Sequence, residues 1–453
     1  MRGISLEDKK DASLVTWTTR RPRPPSKVMI PLGFPGMSPA VPCVEPGDRV
    51  RMGDCIARPS GPDSVSVHAS VNGKVRGIFS KEHPVIGTAE MIEIETDLHL
   101  DNTWPQGGER KKWEEVPSEE QLILFQHSGL VDTRTLEPLH LSLHRAAGKV
   151  HTLVLNACQS EPYLTSSHVL LLAHPLEILK GAEALRRILG AAKVILAVDP
   201  RQREVAEVLN SKIYFLKWDP FEVRTLSSLY PQDDLFCLMQ GLFGTRRDDL
   251  ERELAAVAVH DPATVFAAYE SVALQKPFFE RAVTVGGECV AEAQNVWAPL
   301  GTPASEVFKF ARGLLRTPAK MLMGGPMRGQ VFADLEASLL PSSSALLALP
   351  KEVLAEGAES SCIRCRRCGE ACPSGLSPAM ITLAVEQGDF ESAVEWGAED
   401  CTDCGVCSYV CPAFRPMASL MRSARQFADT SLVPSVAGAP KTKTASETVL
   451  QRS

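Results

Sequence analysis

The chain carries the stretch Cys362-Ile-Arg-Cys365-Arg-Arg-Cys368-Gly-Glu-Ala-Cys372-Pro near its C-terminus, and it repeats the pattern in Cys401-Thr-Asp-Cys404-Gly-Val-Cys407-Ser-Tyr-Val-Cys411-Pro. Both stretches read C-x2-C-x2-C-x3-C-P, the spacing that binds cubic iron–sulfur clusters. They contain eight of the 13 cysteines in the 453 residues. The repeat therefore predicts a domain with two [4Fe-4S] clusters.

The spacing also predicts which cysteines share a cluster. Three closely spaced thiolates cover three corners of a cube, whereas the fourth cysteine of a run lies too far along the chain and crosses to the other cluster. The expected ligand sets are Cys362, Cys365, Cys368 and Cys411 for cluster one, and Cys372, Cys401, Cys404 and Cys407 for cluster two. The proline after each fourth cysteine has no N–H to donate, so it ends the local turn.

Zinc and disulfides are the alternative uses of these cysteines. Zinc sites also use C-x2-C pairs, but two pairs normally complete one tetrahedral site, which leaves the trailing Cys-Pro unexplained. A disulfide framework fits less well because the chain is long, lacks an apolar signal segment and concentrates its cysteines in one region. The other five cysteines are scattered, and we expect them to be plain buried thiols: Cys43, Cys55, Cys158, Cys237 and Cys289.

The composition limits the class of protein. Hydrophobic residues make up 44% of the chain, and the net charge of −7 argues against a nucleic-acid partner. No stretch reaches the roughly 18 apolar residues of a membrane span, and the first ten residues are charged rather than apolar. We therefore expect a cytosolic protein, or one bound to the cytosolic face of a membrane complex.

Apolar periodicity and turn residues divide the chain into a multidomain α/β protein. We expect an extended lead-in at 1–27 and a barrel-sandwich (biotinyl- or lipoyl-like) β domain at 28–98. An α/β domain with a parallel sheet follows at 117–245, and then a helical connection and β-grasp-like module at 246–350. The last parts are an α-helical two-cluster ferredoxin domain at 355–428 and a disordered tail at 429–453.

Three local patterns carry this division. Asn72-Gly73, between apolar residues, predicts a hairpin turn in the β domain. Lys74 beside it could be a swinging-arm lysine, but the turn lacks the flanking residues of a modified lysine, so a structural hairpin is favoured. Strands at 150–156, 193–198 and 213–218 alternate with helices, which predicts a parallel sheet. Gly324-Gly325-Pro326 suits either a turn or a phosphate cradle, and a turn is favoured.

The order of the motifs resembles the RnfC family, the C subunit of Rnf-type ion-translocating electron-transport complexes, over nearly the whole chain. The motifs that carry the resemblance are Val44-Glu-Pro-Gly-Asp-Arg-Val50, His68-Ala-Ser-Val-Asn-Gly-Lys-Val75, Asn156 with Glu161-Pro-Tyr-Leu-Thr165, Met323-Gly-Gly-Pro-Met327, and both cysteine runs. The cobalamin reductase of propanediol-utilising compartments shares this layout.

The resemblance implies a peripheral subunit on the cytoplasmic side of the cell inner membrane. In the family, this subunit takes electrons from NADH or ferredoxin and passes them to membrane partners, and the complex couples that flow to sodium or proton movement. The resemblance also implies that the α/β domain is similar to the flavin-binding, NADH-oxidising subunit of respiratory complex I. In that subunit FMN sits on a glycine-rich loop before the strand that corresponds to 150–156.

This chain departs from the family at the flavin loop. Residues 128–138 keep a single glycine, Gly129. Glycines let backbone N–H groups approach a phosphate closely, and Asp132 and Glu137 would repel that anion. The family's Glu-Cys-Glu-Pro reads Gln159-Ser160-Glu161-Pro162 here. We therefore expect that the domain keeps its fold and has lost, or greatly weakened, FMN and NADH binding, and we assign no flavin-binding or catalytic residue.

Three functions compete on these grounds. The leading hypothesis is an electron-relay subunit of such a complex, with the other subunits as partners and NADH or ferredoxin as donor, reached directly or through another subunit. The altered loop argues against NADH oxidation by this chain itself. The alternatives are an FMN-dependent NADH dehydrogenase module or cobalamin-reductase-like flavoprotein, and a docking scaffold that presents the ferredoxin domain.

Charges beside the cysteines predict the order of the cluster potentials. Basic residues surround cluster one and acidic residues surround cluster two: Arg364, Arg366 and Arg367 on one side, Glu399, Asp400 and Asp403 on the other. Positive charge favours the reduced, more negative cluster, so cluster one should have the higher potential.

Overall fold

The computed structural model describes residues 3–14, 19–101, 104, 112–354 and 357–431. The N-terminal lead-in, expected to be extended, includes helix α1 (Asp11–Leu14) and strand β1 (Thr19–Arg20). Ile4 and Tyr230 exchange two backbone hydrogen bonds of 3.0 and 2.8 Å. The lead-in is therefore bound to the segment around Tyr230, far from it in sequence, and does not project freely from the first domain.

The first domain is a sandwich of two antiparallel sheets. Its strands are β2 (Lys27–Pro31), β3 (Val41–Pro42), β4 (Arg49–Val50), β5 (Cys55–Arg58), β6 (Val67–His68), β7 (Gly73–His83) and β8 (Gly87–Thr96). One sheet has the order β2-β8-β7-β4 and the other β3-β5-β6. Burial alternates at the start of β7, and the inward side chains meet Val28, Ile56 and Ile94 in one core. This is the expected barrel-sandwich module.

The predicted Asn72-Gly73 hairpin is wrong. These residues carry the chain from β6 to β7, which belong to different sheets, and the long hairpin joins β7 to β8 instead. Asn72 accepts a hydrogen bond from the Met52 N–H at 2.7 Å. A Cβ at Gly73 would lie 2.1 Å from the Glu95 carbonyl oxygen, so close strand packing explains the glycine. Lys74 lies within β7, paired with Glu95, and not at a turn.

The second domain is a parallel sheet covered by helices. Its elements are α2 (Ser118–His127), α3 (Leu139–Ala146), β9 (Thr152–Asn156), α4 (Ser166–Ala173), α5 (Pro175–Leu189), β10 (Lys193–Val198), α6 (Arg203–Leu216), β11 (Phe221–Thr225), α7 (Leu235–Phe243), α8 (Leu250–Leu254), β12 (Val257–His260) and α9 (Pro262–Leu274). The strand order is β11-β10-β9-β12, and each pair is parallel. The predicted parallel sheet is present.

Two details of this domain differ from the sequence prediction. The third strand was expected at 213–218, but residues 213–216 are the end of α6, and the strand β11 begins only at Phe221. Ile213 and Leu216 continue the helical spacing from Leu209 and pack on the core. The sheet also continues past residue 245, because β12 pairs with β9 and α9 packs on α5. A four-residue strand carries too little alternation to be found from sequence.

The third domain is a β-grasp sheet with one helix. Its elements are β13 (Glu280–Gly286), β14 (Gln294–Pro299), α10 (Ala304–Phe310), β15 (Lys320–Met323), β16 (Gln330–Phe332) and β17 (Ala345–Leu349). The sheet order is β1-β14-β13-β17-β15-β16, with β13 parallel to β17 and β1 parallel to β14. Val307 and Phe308 of α10 pack against Val283 and Leu346 of the sheet. The lead-in strand β1 thus completes a sheet made mostly of C-terminal residues.

The fourth domain is helical, as expected. Its helices are α11 (Arg367–Ala371), α12 (Pro378–Glu386), α13 (Phe390–Glu395), α14 (Val406–Tyr409) and α15 (Met417–Ser431). The Asp389 carboxylate accepts a hydrogen bond from the Ser392 N–H and caps α13. The tail predicted at 429–453 begins inside α15, and residues 432–453 lie outside the described part of the chain. No helix within the described ranges is both long and apolar enough to cross a membrane.

A buried ion cluster joins the second and third domains. The Lys276 ammonium lies 2.8 Å from a carboxylate oxygen of Glu270 and 2.8 Å from one of Glu280. Arg21 of the lead-in donates two further hydrogen bonds to Glu280, at 2.6 and 3.0 Å. Burial works against the charged lysine, but the two carboxylates outweigh it and raise the pKa of Lys276.

We expect Lys276→Met to destabilise these domains by about 3–5 kcal/mol, because two carboxylates stay buried without the cation between them. Urea unfolding followed by tryptophan fluorescence measures this, since the Trp297 ring lies 5.8 Å from Lys276 Nζ. Lys309→Met is the matched control: its ion pair with Glu306 is on the surface, with the lysine 68% exposed. The control should change stability by about 0.5 kcal/mol or less, and equal losses in the two variants would contradict the prediction.

Candidate metal centres and flavin loop

The four cysteines expected to share cluster two line one cavity. Cys372, Cys401, Cys404 and Cys407 surround it, and Leu376, Pro378, Val406 and Met421 contribute apolar walls. Cys372 comes from the first cysteine run and the other three from the second. The chain therefore folds back so that residues of both runs line the same cavity.

Short, tightly turned loops place these thiols. Asp403 and Gly405 have positive φ values of 54° and 73°, and α14 starts at the next residue. Burial raises the pKa of Cys404 to about 11, and the neighbouring Cys372 and Cys401 thiols add to the rise. Burial and the same neighbours also raise the pKa of Cys407. Crowded, buried sulfurs of this kind are stable as thiolates only beside compensating positive charge.

This donor set fits an iron–sulfur cluster. Four cysteines line one largely apolar cavity, and sulfur-only ligation suits iron–sulfur clusters. Among the described residues, no three His, Cys, Asp or Glu side chains are arranged to hold a metal ion at one point. The four thiols are instead spread around the walls of the cavity.

The first set is more open. Cys365 is exposed, and Cys362, Cys368 and Cys411 are partly buried. Burial and the Cys365 thiol raise the pKa of Cys368. Burial would lower the pKa of Arg415, but the Glu386 carboxylate and then the Cys362 and Cys411 sulfurs raise it, so both cysteines lie near this guanidinium. The structure thus places Cys411, from the second run, near the first run.

Arginines pair with acidic residues around the second set. Asp400 lies 2.7 Å from a guanidinium nitrogen of Arg247, and Asp403 lies 2.8 Å from one of Arg422. The Arg425 guanidinium also donates to the Cys401 carbonyl oxygen at 2.9 Å. Sequence alone gave this set an acidic surrounding, whereas two of the three carboxylates have a cationic partner. The predicted order of potentials therefore depends more on the basic residues beside the first set.

The second set lies against the α/β and β-grasp domains. The buried Tyr230 hydroxyl donates to the Cys404 carbonyl oxygen at 2.7 Å. A Cβ at Gly405 would lie 2.7 Å from the Met327 carbonyl oxygen, so the cysteine loop touches the β15–β16 turn directly. The Arg328 guanidinium lies 5.7 Å from the centre of the Tyr230 ring. The loop that carries Cys404 and Gly405 therefore packs against two other domains.

The Gly324-Gly325-Pro326 segment packs against the carboxylate of Glu161. A Cβ at Gly325 would lie 2.0 Å from a Glu161 carboxylate oxygen. That carboxylate accepts the Met327 N–H at 2.9 Å and pairs with Arg328 at 3.1 Å. Burial raises the pKa of the Glu161 carboxyl, and Arg328 opposes the shift. This segment is a turn, as favoured from sequence, and its anion is Glu161.

The loop at 128–138 also supplies its own anion. Asp132 Oδ1 accepts the N–H groups of Arg134 and Thr135 at 2.9 and 3.0 Å. Asp132 Oδ2 lies 2.6 Å from His260 Nδ1 at the end of β12. Glu137 forms an ion pair with Arg145. From the sequence we expected Asp132 to repel a phosphate. In the structure its carboxylate also accepts hydrogen bonds from the N–H groups of the loop.

The backbone donors of this loop are used within the protein. The N–H groups of residues 128–130 and 132–137 all donate to protein oxygens. Gly129 has φ +75°, and a Cβ there would lie 2.6 Å from the Ser66 carbonyl oxygen of the sandwich domain. Its conformation is explained by domain packing. These donors do not fit a phosphate unless the loop opens.

The sequence gave no sign that the lead-in reaches the crevice after β9. Lys10 Nζ donates to the Gln159 carbonyl oxygen at 2.5 Å, and the Tyr163 N–H donates to the Asp8 carbonyl oxygen at 3.0 Å. Ser13 and Thr165 share a hydrogen bond of 2.9 Å. The contact lies on the segment 159–165, which carries the family-like motif. Lead-in residues therefore cover a surface that sequence reasoning assigned to the α/β domain alone.

The five remaining cysteines divide into two groups. Cys158, Cys237 and Cys289 are buried, as expected. Cys43 and Cys55 are exposed, so the prediction of buried thiols is wrong for these two. They lie on neighbouring segments of the β3-β5-β6 sheet: Cys43 follows β3, and Cys55 is the first residue of β5.

A domain that presents two sets of four cysteines beside a flavoprotein-like sheet belongs to the iron–sulfur electron carriers. Three family descriptions match the chain: the RnfC barrel sandwich hybrid domain at residues 1–99, the Nuo51 FMN-binding domain at 134–270, and the 4Fe-4S dicluster domain at 357–412. The Nuo51 match begins inside the altered loop.

Whole-chain relatives agree with these domains. The chain is 30% identical to the C subunit of the proton-translocating ferredoxin:NAD(+) oxidoreductase complex of Clostridium ljungdahlii, over 82% of this chain and 81% of that protein. It is 29% identical to the C subunit of the Na(+)-translocating ferredoxin:NAD(+) oxidoreductase complex of Acetobacterium woodii, over 89% and 91%. The C subunit of the ion-translocating oxidoreductase complex of Rhodobacter capsulatus is also 29% identical, over 82% and 72%. The chain belongs to this family of ion-translocating oxidoreductase complex C subunits, RnfC.

Asp132 should make the stability of the α/β domain depend on acidic pH. Burial would raise the pKa of Asp132, but His260 outweighs it and lowers the value to about 2. An aspartate of the unfolded chain has a pKa of about 3.9, so the folded state gains about 2.6 kcal/mol above that pH. This gain is lost as pH falls from about 4 to about 2.

Asp132→Asn tests this dependence in urea unfolding followed by tryptophan fluorescence at several pH values. The wild type should be more stable than the variant above pH 5, and the difference should shrink between about pH 4 and 2. Asp219→Asn, at an exposed aspartate of the same domain, should titrate like the wild type. A difference between wild type and Asp132→Asn that is constant over the whole range would contradict the prediction.

Proposed function

We propose that this chain relays electrons within a membrane-associated ion-translocating oxidoreductase complex, through two [4Fe-4S] clusters. The observation that carries the proposal is the meeting of Cys372, Cys401, Cys404 and Cys407 around one cavity. These would hold cluster two, and Cys362, Cys365, Cys368 and Cys411 would hold cluster one. When bound, such clusters accept and release single electrons.

The protein's own part in this function is to position the sulfurs and to control their surroundings. Leu376, Val406 and Met421 keep water from the second set. The hydrogen bonds from Tyr230 and Arg425 go to carbonyl oxygens of ligating residues, so they fix the loop without competing for the sulfurs. Burial and nearby hydrogen-bond donors are the means by which a protein sets a cluster's potential.

The two sets face different neighbours. The second set packs on the α/β and β-grasp domains through Tyr230 and Met327. The first set is open to solvent at Cys365, and the exposed side chains of Ile363 and Phe414 lie next to it in sequence. We infer that the first set faces an electron partner and that the second faces inward.

In this proposal, partner subunits attach the chain to the membrane, and electrons come from an external donor. The curated relatives are named as subunits of ferredoxin:NAD(+) oxidoreductase or ion-translocating complexes. We propose the same for this chain: other subunits of a membrane complex as partners, NADH or ferredoxin as donor, and a peripheral position on the cytoplasmic side of the inner membrane.

We also propose that the α/β domain does not hold FMN at the 128–138 loop. Asp132 and the protein oxygens around it use the N–H groups that a phosphate would need. The match to the Nuo51 FMN-binding domain favours the second candidate function, an FMN-dependent NADH dehydrogenase module. Bound flavin separates the two. A docking scaffold remains compatible with the relay, because the upstream domains would then fix the cluster domain to the complex.

Anaerobic purification with iron, sulfide and flavin measured on one sample tests the proposal. We expect about eight irons and about eight sulfides per chain and no flavin. The same iron with about one FMN would overturn the proposed loss of flavin and favour the dehydrogenase module. Zinc without sulfide would overturn the relay.

Single cysteine substitutions test the two ligand sets. Cys407→Ser and Cys365→Ser should each lower the iron content from about eight to about four, because each removes a ligand from one cluster only. Electron paramagnetic resonance of the dithionite-reduced variants should then show one remaining signal, which differs between the two. Cys43→Ser, at an exposed cysteine outside both runs, should keep all the iron. Equal iron in all three variants would refute the assignment.

A further inference from the structure

Cys43 and Cys55 form an exposed pair far from the cysteine runs in sequence. β3 and β5 run antiparallel, with Val41 opposite Arg58 and Pro42 opposite Ala57. The pairing continues beyond β3, because the Cys43 N–H donates to the Ile56 carbonyl oxygen at 3.0 Å. Cys43 is therefore opposite Ile56, one residue from Cys55.

The two sulfurs point into the same space. Cys43 Sγ lies 3.3 Å from the Cys55 carbonyl oxygen, and Cys55 Sγ lies 3.3 Å from the Ala57 carbonyl oxygen. Burial, followed by the Cys43 thiol, raises the pKa of Cys55, which is a second sign that the thiols are neighbours. Cys55 is adjacent to Ile56, the residue opposite Cys43, and a disulfide between the two cysteines requires their Cα atoms to lie about 4.4–6.8 Å apart.

A bulge in β5 explains why neighbouring positions share a face. Against β6, Cys55 pairs with His68 and Ala57 pairs with Val67, so the register shifts by one residue between them. Both Ile56 and Ala57 then face the core, while Cys55 faces out. A regular strand would point Cys55 and Ala57 the same way. The irregularity frees Cys55 to face Cys43.

We propose that Cys43 and Cys55 are a reversible dithiol–disulfide site, oxidised by low-molecular-weight disulfides such as glutathione disulfide. The site is independent of the cluster cysteines and of the flavin loop. It goes beyond the relay function, and either proposal stands if the other fails.

The reaction is an exchange of disulfides. The thiolate of Cys43, the more open of the two sulfurs, attacks glutathione disulfide, the S–S bond of the oxidant breaks, and one glutathione thiol leaves. The Cys55 thiolate then attacks the Cys43 sulfur of this mixed disulfide and releases the second glutathione. Two protein thiols are oxidised, one small disulfide is reduced to two thiols, and the protons of the cysteines end on those thiols.

The bond would close a loop that crosses the sandwich. Residues 44–54 lie between the two cysteines and contain β4, which pairs with β7 in the other sheet. Gly53 in this loop donates its N–H to the Ala69 carbonyl oxygen at 2.8 Å, and its own carbonyl oxygen lies 2.9 Å from His68 Nδ1. Oxidation would therefore join the two ends of this loop within the β3-β5-β6 sheet and make the sandwich domain harder to unfold.

Peptide mapping tests the site on the anaerobically purified, cluster-loaded chain. The protein is treated with glutathione disulfide, free thiols are blocked with N-ethylmaleimide, and trypsin is added without reductant. We expect the peptide 28–49, with Cys43, to be joined to the peptide 52–74, with Cys55. The intact chain should be lighter by two hydrogen atoms, dithiothreitol should reverse the link, and the iron content should not change.

Three comparisons decide the outcome. In Cys43→Ser and Cys55→Ser the joined peptide should disappear, and the remaining cysteine should carry glutathione or stay free. Cys158→Ser, at a buried cysteine, should still form the link. Glutathione on both Cys43 and Cys55 of the same wild-type chains, a link between two chains that grows with protein concentration, or no reaction at either cysteine would each overturn the proposal.

Discussion

The ion network of Arg328 with Glu161 and Asp233 holds the inner cysteine site in place. Glu161 follows β9, Asp233 precedes α7, and Arg328 lies in the turn between β15 and β16, so one guanidinium joins two domains. Tyr230, three residues before Asp233, contacts the fourth domain through the hydrogen bond of its hydroxyl to the Cys404 carbonyl oxygen. Removing one member would leave a charge without its partner in a region where burial is costly, so the other contacts of the site depend on this network.

The protein fills two anion-binding turns with its own side chains. Glu161 accepts a backbone N–H beside Gly325, and Asp132 accepts two in the loop before β9. In a nucleotide-binding protein such donors would face a phosphate. A carboxylate that belongs to the chain is always present at its turn. An external anion would have to displace it in order to bind there. The flavoprotein-like sheet is retained, and at both turns the backbone N–H groups bind a carboxylate of the chain itself.

The cysteine spacing indicated which four cysteines of the second set would line one cavity, because a cubic cluster restricts which sulfurs can share it. The β-grasp and parallel-sheet domains were also readable from their alternating patterns. The predicted strand at 213–218 failed because Tyr214 and Phe215 are apolar but exposed, so composition suggested a strand where helix α6 continues. The exposure of Cys55 depends on a one-residue bulge, and the coverage of the β9 crevice by Lys10 depends on contacts across domains. Neither leaves a local signal in the sequence.

The position of the lead-in has a consequence for biosynthesis. The Asn295 side chain donates to the Ser13 carbonyl oxygen across 282 residues of chain, and β1 pairs with β14 at the edge of the β-grasp sheet. On the ribosome, the lead-in residues must therefore wait until β14 has been made before they can dock. The sandwich domain can fold early from its own strands. The β-grasp sheet gains its edge strand β1 only when β1 pairs with β14.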